Sequence, residues 1–146
     1  MRKRAKCLCF AAGVMLAGAA GAEQWFSVAS PSSDAAASRV EIDLDSIRAR
    51  GQFGEGIIRV SFNAVQPHSA GFGYRSFVAS AHFDCQRRSI SLSGAAYYAQ
   101  PDGNGAPLGA DRTGRAAGTP PDFLESIPAA ARRALLRASC AAAPAN

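Results

Sequence analysis

The sequence predicts an α+β fold: an antiparallel sheet with a C-terminal helix packed on one face. Apolar and polar residues alternate in several segments between residues 24 and 98, which is the period of a strand buried on one side. One-sided alternation is typical of antiparallel sheets with a solvated face. Residues 128–140 alone combine a proline start with strong helix formers. Strands followed by a terminal helix indicate the α+β class.

Strands are predicted at 24–29, 39–44, 56–65, 74–85 and 89–98. Within each strand, alternate side chains should face the core and the solvent. The positions predicted to face inward are Val40, Ile42, Leu44, Ile58, Val60, Phe62, Ala64, Phe77, Ala79, Ala81, Phe83, Cys85, Ile90 and Leu92. The positions predicted to face water include Arg59, Ser61, Asn63, Tyr74, Ser76, Ser80, His82, Asp84, Ser89, Ser91 and Ser93.

Two segments are predicted to connect strands. Residues 51–56 (GQFGEG) have the glycines of a hairpin connection. Residues 99–121 are rich in Gly, Pro, Asp, Asn and Ala and show no period. We expect a long mobile loop there, the least ordered part of the domain.

The predicted helix runs from Pro128 to Cys140. Leu136 and Cys140 are four residues apart and should project from the same side. A second apolar strip is formed by Ala131, Leu135 and Ala138.

The first 22 residues read as a secretory signal. Four cations between residues 2 and 6 precede an apolar, small-residue stretch that ends in Ala20-Gly21-Ala22, so we expect cleavage before Glu23. The alternative is a membrane anchor, but the apolar run of about 14 residues is shorter than the roughly 20 that span a bilayer. The stretch also lacks the cysteine at its end that lipoprotein processing requires. We therefore expect a single exported domain, 23–146, with no transmembrane segment after cleavage, in the periplasm or at the cell surface.

The net charge of +5 is largely a property of this leader. The sixteen cations of the chain fall to twelve without it, against eleven acidic residues, which leaves +1. Every remaining cation is arginine, and the clusters among them are small, at 87–88, 112/115 and 132/133/137. We attribute the use of arginine rather than lysine, together with the high alanine content, to a bias in codon composition. The clustered basic face of a nucleic-acid-binding protein is not evident, so we expect no nucleic-acid partner.

Cys85 and Cys140 are the two cysteines that remain after cleavage, in an oxidising compartment where a disulfide persists. We predict that they are bonded, which would attach the helix to the inward face of a strand. The bond would close a ring of 55 residues, and loop entropy gives such a cross-link about 4 kcal/mol.

Several segments in order resemble the surface-adhesin protein E family. They are Trp25 in the first strand, Ile42–Ile47 (IDLDSI), His82–Arg88 (HFDCQRR), Tyr97-Tyr98 followed by Gly103, and Ser126-Ile127-Pro128 before a helix that ends at Cys140. Two departures are the missing lipobox and Pro128-Ala129-Ala130 in place of the family's Pro-Gly-Ser. The resemblance implies a sheet of about six strands, a disulfide-attached helix and an adhesin that binds host matrix or serum proteins.

No residue pattern predicts catalysis, a cofactor or a metal. The two histidines, His68 and His82, lack a clustered third ligand, and no Gly-x-Ser-x-Gly nucleophile motif occurs. The cysteines are too far apart for a Cys-x-x-Cys redox motif. We therefore expect a non-enzymatic binding module of the bacterial envelope, or alternatively a periplasmic structural or house-keeping protein.

The expected contact surface is the solvated face of the sheet, together with the loop after Tyr98. Its predicted partner-binding residues are Arg59, Tyr74, Ser76, His82, Ser89 and Ser91. The expected partners are host extracellular-matrix or envelope proteins, and a free strand edge could also pair with a partner.

Overall fold

A computed structural model describes residues 23–29, 37–110 and 127–141. Its strands are β1 (Trp25–Ala29), β2 (Ala37–Asp43), β3 (Arg48–Arg50), β4 (Phe53–Pro67), β5 (Gly73–Asp84), β6 (Ser89–Tyr98) and β7 (Pro107–Ala110). The helix α1 is Ala129–Ala141, and 3-10 turns lie at Leu44–Ser46 and Pro101–Gly103. The predicted α+β class is confirmed.

The described strands form one antiparallel sheet of seven strands in the order β1-β2-β4-β5-β6-β7, with β3 paired to the start of β4. The long strands β4 and β5 make its centre. Their register runs from Phe53 opposite Asp84 to Ser61 opposite Ser76, and shifts before Gln66 pairs with Tyr74. Long central strands with short edges put the widest continuous surface on β4, β5 and β6.

One face of the sheet, the inner face, is the core. Its fully buried side chains are mostly aliphatic and phenylalanine residues at the alternate positions that the sequence predicts, and α1 covers them. Ala131 and Leu135 bury the helix against the sheet, but the next buried helical residue is Ser139 rather than the predicted Ala138. The small side chains on α1 allow the helix to lie close to the strands.

The predicted disulfide is confirmed. Cys85, directly after β5, is bonded to Cys140 of α1, with 5.7 Å between the Cα atoms. The backbone N–H of Cys85 also donates to the carbonyl of Gln52, at 2.8 Å. The last turn of the helix is therefore attached to the β5–β6 turn and, through it, to the start of β4.

The prediction that residues 51–56 form a hairpin connection is wrong for most of that range. The turn is limited to Gly51 and Gln52, and β4 begins at Phe53. Gly54 and Gly56 are buried strand residues, and a Cβ atom at Gly56 would lie 3.3 Å from Ile42 Cδ1. These glycines allow close packing inside the sheet, a known use of glycine in strands.

Two predicted inward positions are exposed. Leu44 is in a 3-10 turn after β2, so the strand period no longer applies to it. Ala64 lies in the part of β4 where the register shifts against β5. The alternation of β4 therefore holds to Phe62 and then ends.

The prediction of an unstructured loop over 99–121 is wrong for its first half. Residues 101–103 form a 3-10 turn that lies on the sheet, and residues 107–110 form β7, paired with the end of β6. Residues 111–121 lie outside the described part of the chain, as does the leader. In the described residues, no helix has the length and apolar character needed to cross a membrane.

Candidate functional site

The outer face of the sheet, opposite α1, is divided into a covered half and an open half. The Pro101–Gly103 turn covers the first half, above the ends of β4 and β5 that pair at Ser61 and Ser76. The open half lies towards Phe53 and Asp84, where β4, β5 and β6 present their outward side chains. Among the described residues, the turn leaves the open half of the outer face uncovered.

Two serines attach the turn to the sheet. Ser76 Oγ donates to the carbonyl of Gln100 at 2.6 Å and accepts the N–H of Gly103 at 2.9 Å. Ser61 Oγ lies 2.9 Å from Asp102 Oδ1, to which it donates, and accepts the N–H of Asp102 at 3.0 Å. Asp102 has a φ of +61°, in the left-handed region, so these bonds hold a backbone conformation that a non-glycine residue seldom adopts. The serines are structural anchors.

Arg59 also connects the turn to the covered half of the sheet. Its Nη2 lies 2.7 Å from Glu41 Oε2, and its Nη1 donates to the carbonyl of Asp102 at 3.0 Å. The guanidinium carbon also lies 4.2 Å from the centroid of the Trp25 ring, a cation–π contact that fixes β1 to the sheet. Arg39 adds a 3.4 Å contact to Asp102. Arg59 is therefore committed to intramolecular contacts on several sides.

The open half contains a shallow cleft of about 360 Å³, which we call the His82 cleft. It is lined by Phe53, Gly54, Glu55, His82, Phe83, Asp84, Ser89 and Ser91. His82 Nε2 lies 2.8 Å from Ser93 Oγ, and Nδ1 lies 3.6 Å from Glu55 Oε1. The imidazole is thus oriented by a neighbour on each adjacent strand, although nearly half of its side-chain surface stays exposed.

Exposed apolar side chains lie along β4 beside this cleft. Phe53 is 53% exposed and Ile57 is 39% exposed. Both are on the outward side of β4, together with Glu55. An aromatic and an aliphatic side chain beside an imidazole and several hydroxyls combine the apolar anchors and hydrogen-bonding groups found in protein-binding surfaces.

The two acidic residues of the cleft make different contacts. Asp84 Oδ1 accepts the backbone N–H of Arg87 at 2.9 Å, which closes the β5–β6 turn. Glu55 is largely exposed and contacts only His82 among the described ion pairs. In the described residues, no three His, Cys, Asp or Glu side chains are grouped so as to hold a metal ion.

The six residues predicted to bind a partner fall into two groups in the structure: three line the His82 cleft, and three are buried or mostly covered. His82, Ser89 and Ser91 line the cleft. The expectation that the other three face solvent is wrong for Tyr74 and Ser76, which are buried, and Arg59 is mostly covered.

Tyr74 is buried because β4 and β5 are irregularly paired where it lies. Its ring packs against Phe62, 5.7 Å away between centroids, and against Tyr97 at 5.0 Å. This burial raises the pKa of the Tyr74 phenol above its ordinary value. Tyr97 is buried in the same aromatic cluster.

Sequence reasoning missed Phe53, Glu55 and Ile57. Phe53 and Glu55 were assigned to the predicted hairpin connection, and Ile57 follows it directly. The signal that could have found them is the alternation of Phe53, Glu55 and Ile57 with glycines and Ile58, which places all three on one face.

Comparison with known proteins gives one family. The model of the surface-adhesin protein E family matches residues 25–141, from the first residue of β1 to the last residue of α1. No curated protein and no solved structure matches the chain. The family implies a non-enzymatic, exported, surface-associated protein. The match covers most of the sequence, and the chain belongs to the surface-adhesin protein E family.

Proposed function

We propose that the exported domain, residues 23–146, is a non-enzymatic adhesin that binds host matrix or serum proteins through the His82 cleft. The observation that carries the proposal is the family match over the whole sheet and helix. The cleft is the part of the outer face that the Pro101–Gly103 turn leaves open, so it is where a protein partner can approach the central strands.

The composition of the cleft supports a protein partner. Interface energy concentrates in a few aromatic and other large side chains surrounded by polar groups that exclude water. Phe53 supplies an exposed aromatic ring, and His82, Ser89 and Ser91 supply polar groups around it. The backbone beneath them belongs to paired central strands, so little ordering free energy is lost on binding.

The test is a binding titration of the exported protein on immobilised laminin and vitronectin. Phe53→Ser and His82→Ala should each weaken binding about tenfold or more, as loss of a central contact does. The matched control is Val65→Ser, because Val65 is similarly exposed but lies at the far end of β4. The control should bind as the unmodified protein does.

Two outcomes would contradict the proposal. If neither host protein binds saturably, and the protein fractionates with the periplasm, the alternative of a periplasmic structural protein is favoured. If binding occurs but Phe53→Ser and Val65→Ser weaken it equally, the contact surface is not the His82 cleft.

A further inference from the structure

Arginines from two distant parts of the chain meet in a groove between the β5–β6 turn and α1. One depression of about 370 Å³ is lined by Arg88, Ser89, Ile90, Ala129, Arg132, Arg133 and Leu136. A second of about 320 Å³ is lined by Cys85, Arg88, Arg133, Leu136, Arg137 and Cys140. They share Arg88, Arg133 and Leu136, so they form one continuous groove, which we call the arginine groove.

The charge of this groove is not balanced by its described surroundings. Arg88, Arg132, Arg133 and Arg137 take part in none of the ion pairs formed among the described residues. No acidic side chain is among the described residues that line either depression. Arg39 and Arg59, by contrast, are paired with carboxylates on the outer face. A concave surface with charges of one sign attracts ligands of the opposite sign.

The fold holds these arginines in fixed relation. The Cys85–Cys140 disulfide joins the first residue of the turn to the last turn of the helix. Arg88 ends that turn with a φ of +54°, in the left-handed region, so the turn fixes its backbone in a conformation that a non-glycine residue seldom adopts. Arg133 and Arg137 are four residues apart on α1 and so lie on one side of the helix.

This convergence is not a property of composition. Codon bias explains why the cations of the chain are arginines, but it does not bring residue 88 beside residues 133 and 137. Repulsion among like charges opposes such an arrangement unless an anionic ligand offsets it.

We propose that the arginine groove binds a linear sulfated polysaccharide. The guanidinium group donates two parallel hydrogen bonds to an anion such as a sulfate or carboxylate, which suits arginine better than lysine to this task. The groove extends along α1 from Ala129 to Cys140, about 16 Å at 1.5 Å per residue. That length exceeds one small anion and matches a chain with repeated negative groups.

The lining favours a glycan over other polyanions. No aromatic side chain is among the described residues of the groove, so the stacking platform of a single-stranded nucleic-acid site is lacking there. Ile90 and Leu136 are half-buried in its floor, so they do not protrude as the apolar face of a membrane-binding helix would. The groove is on the helix side of the sheet, and of the described residues that line it only Ser89 also lines the His82 cleft.

The experiment is a calorimetric titration of the exported, disulfide-oxidised protein with a heparin octasaccharide at low and physiological salt. We expect saturable binding that weakens as salt rises. Arg133→Ala and Arg88→Ala should each weaken it about fivefold, since each removes one solvent-exposed ion pair with the ligand. Arg133→Lys keeps the charge and should recover part of the loss. Arg39→Ala, which removes the same charge from the outer face, should bind as the unmodified protein does.

Three results would overturn the proposal. The first is no saturable heat with the octasaccharide at low salt. The second is equal weakening by Arg39→Ala and Arg133→Ala, which would mean attraction by net charge alone. The third is equal or tighter binding of desulfated heparin, polyglutamate or phosphatidylserine vesicles, which would assign the groove to another anion. Thermal melts of each variant confirm that these surface changes leave the fold intact.

Discussion

Replacing Ser76 with alanine should release the Pro101–Gly103 turn from the outer face of the sheet. Ser76 is fully buried, and its hydroxyl both donates to the Gln100 carbonyl at 2.6 Å and accepts the Gly103 N–H at 2.9 Å. Alanine fits the strand but makes neither bond. The substitution therefore tests whether the covered half of the outer face depends on this one hydroxyl.

The magnitude follows from the two lost bonds. Each neutral hydrogen bond contributes about 0.5–1.5 kcal/mol net, and a buried partner left without one costs about 1–3 kcal/mol. Because Gln100 is exposed and can turn to water, we expect a loss of about 2 kcal/mol in the free energy of unfolding. For a domain of this size that lowers Tm by about 8 °C.

Denaturant unfolding and amide hydrogen exchange measure the effect. The matched control is Ser80→Ala, four residues along the same strand on the same face, where the side chain is exposed. The control should change stability by less than about 0.5 kcal/mol. Exchange of the Gly103 amide should become faster in Ser76→Ala and stay unchanged in Ser80→Ala. Equal stability of the two variants, with unchanged Gly103 exchange, would refute the account of the turn.

Four further outcomes are expected. Reducing the Cys85–Cys140 bond should lower the free energy of unfolding by about 4 kcal/mol, since its ring spans 55 residues; an unchanged melt would show that the bond contributes nothing. Leu135→Ala should cost about 2–5 kcal/mol because the side chain is fully buried between α1 and the sheet, as denaturant unfolding would measure. Because burial raises the pKa of Tyr74 above 10.0, the folded state holds the phenol proton more tightly than the unfolded chain does. Stability should therefore be retained below pH 10 and fall as pH rises above it, and Tyr74→Phe should remove that part of the fall. Intact-mass measurement of the exported protein should give a chain that begins at Glu23, and a mass that retains the leader would contradict the cleavage.

The sequence predicted the parts of the fold that depend on local pattern. Strand alternation identified the core face of β4 from Ile58 to Phe62 and that of β5 from Phe77 to Phe83. The composition of residues 128–140 located α1, and a single pair of cysteines after the leader gave the disulfide.

The predictions of exposure and of strand bounds were wrong where contacts with segments distant in the sequence determine the structure. Ser76 reads as an outward polar residue, and nothing near it in the sequence indicates that residues 100–103 cover it. Gly54 and Gly56 have the composition of a turn, but the packing of Phe83 and Ile42 against them makes them strand residues. Of the six residues predicted to contact a partner, three are therefore buried or mostly covered, and the exposure of Phe53 was not predicted.

The most direct test of the adhesin account asks whether the outer face of the sheet is exposed on the surface of intact cells. Antibodies raised against the folded domain, and depleted of those that still bind a Phe53→Ser/Ser91→Arg variant, would recognise the His82 cleft alone. Flow cytometry with these antibodies should label intact cells that export the protein, and added laminin or vitronectin should reduce the labelling. Labelling that appears only after the outer membrane is permeabilised would contradict the account.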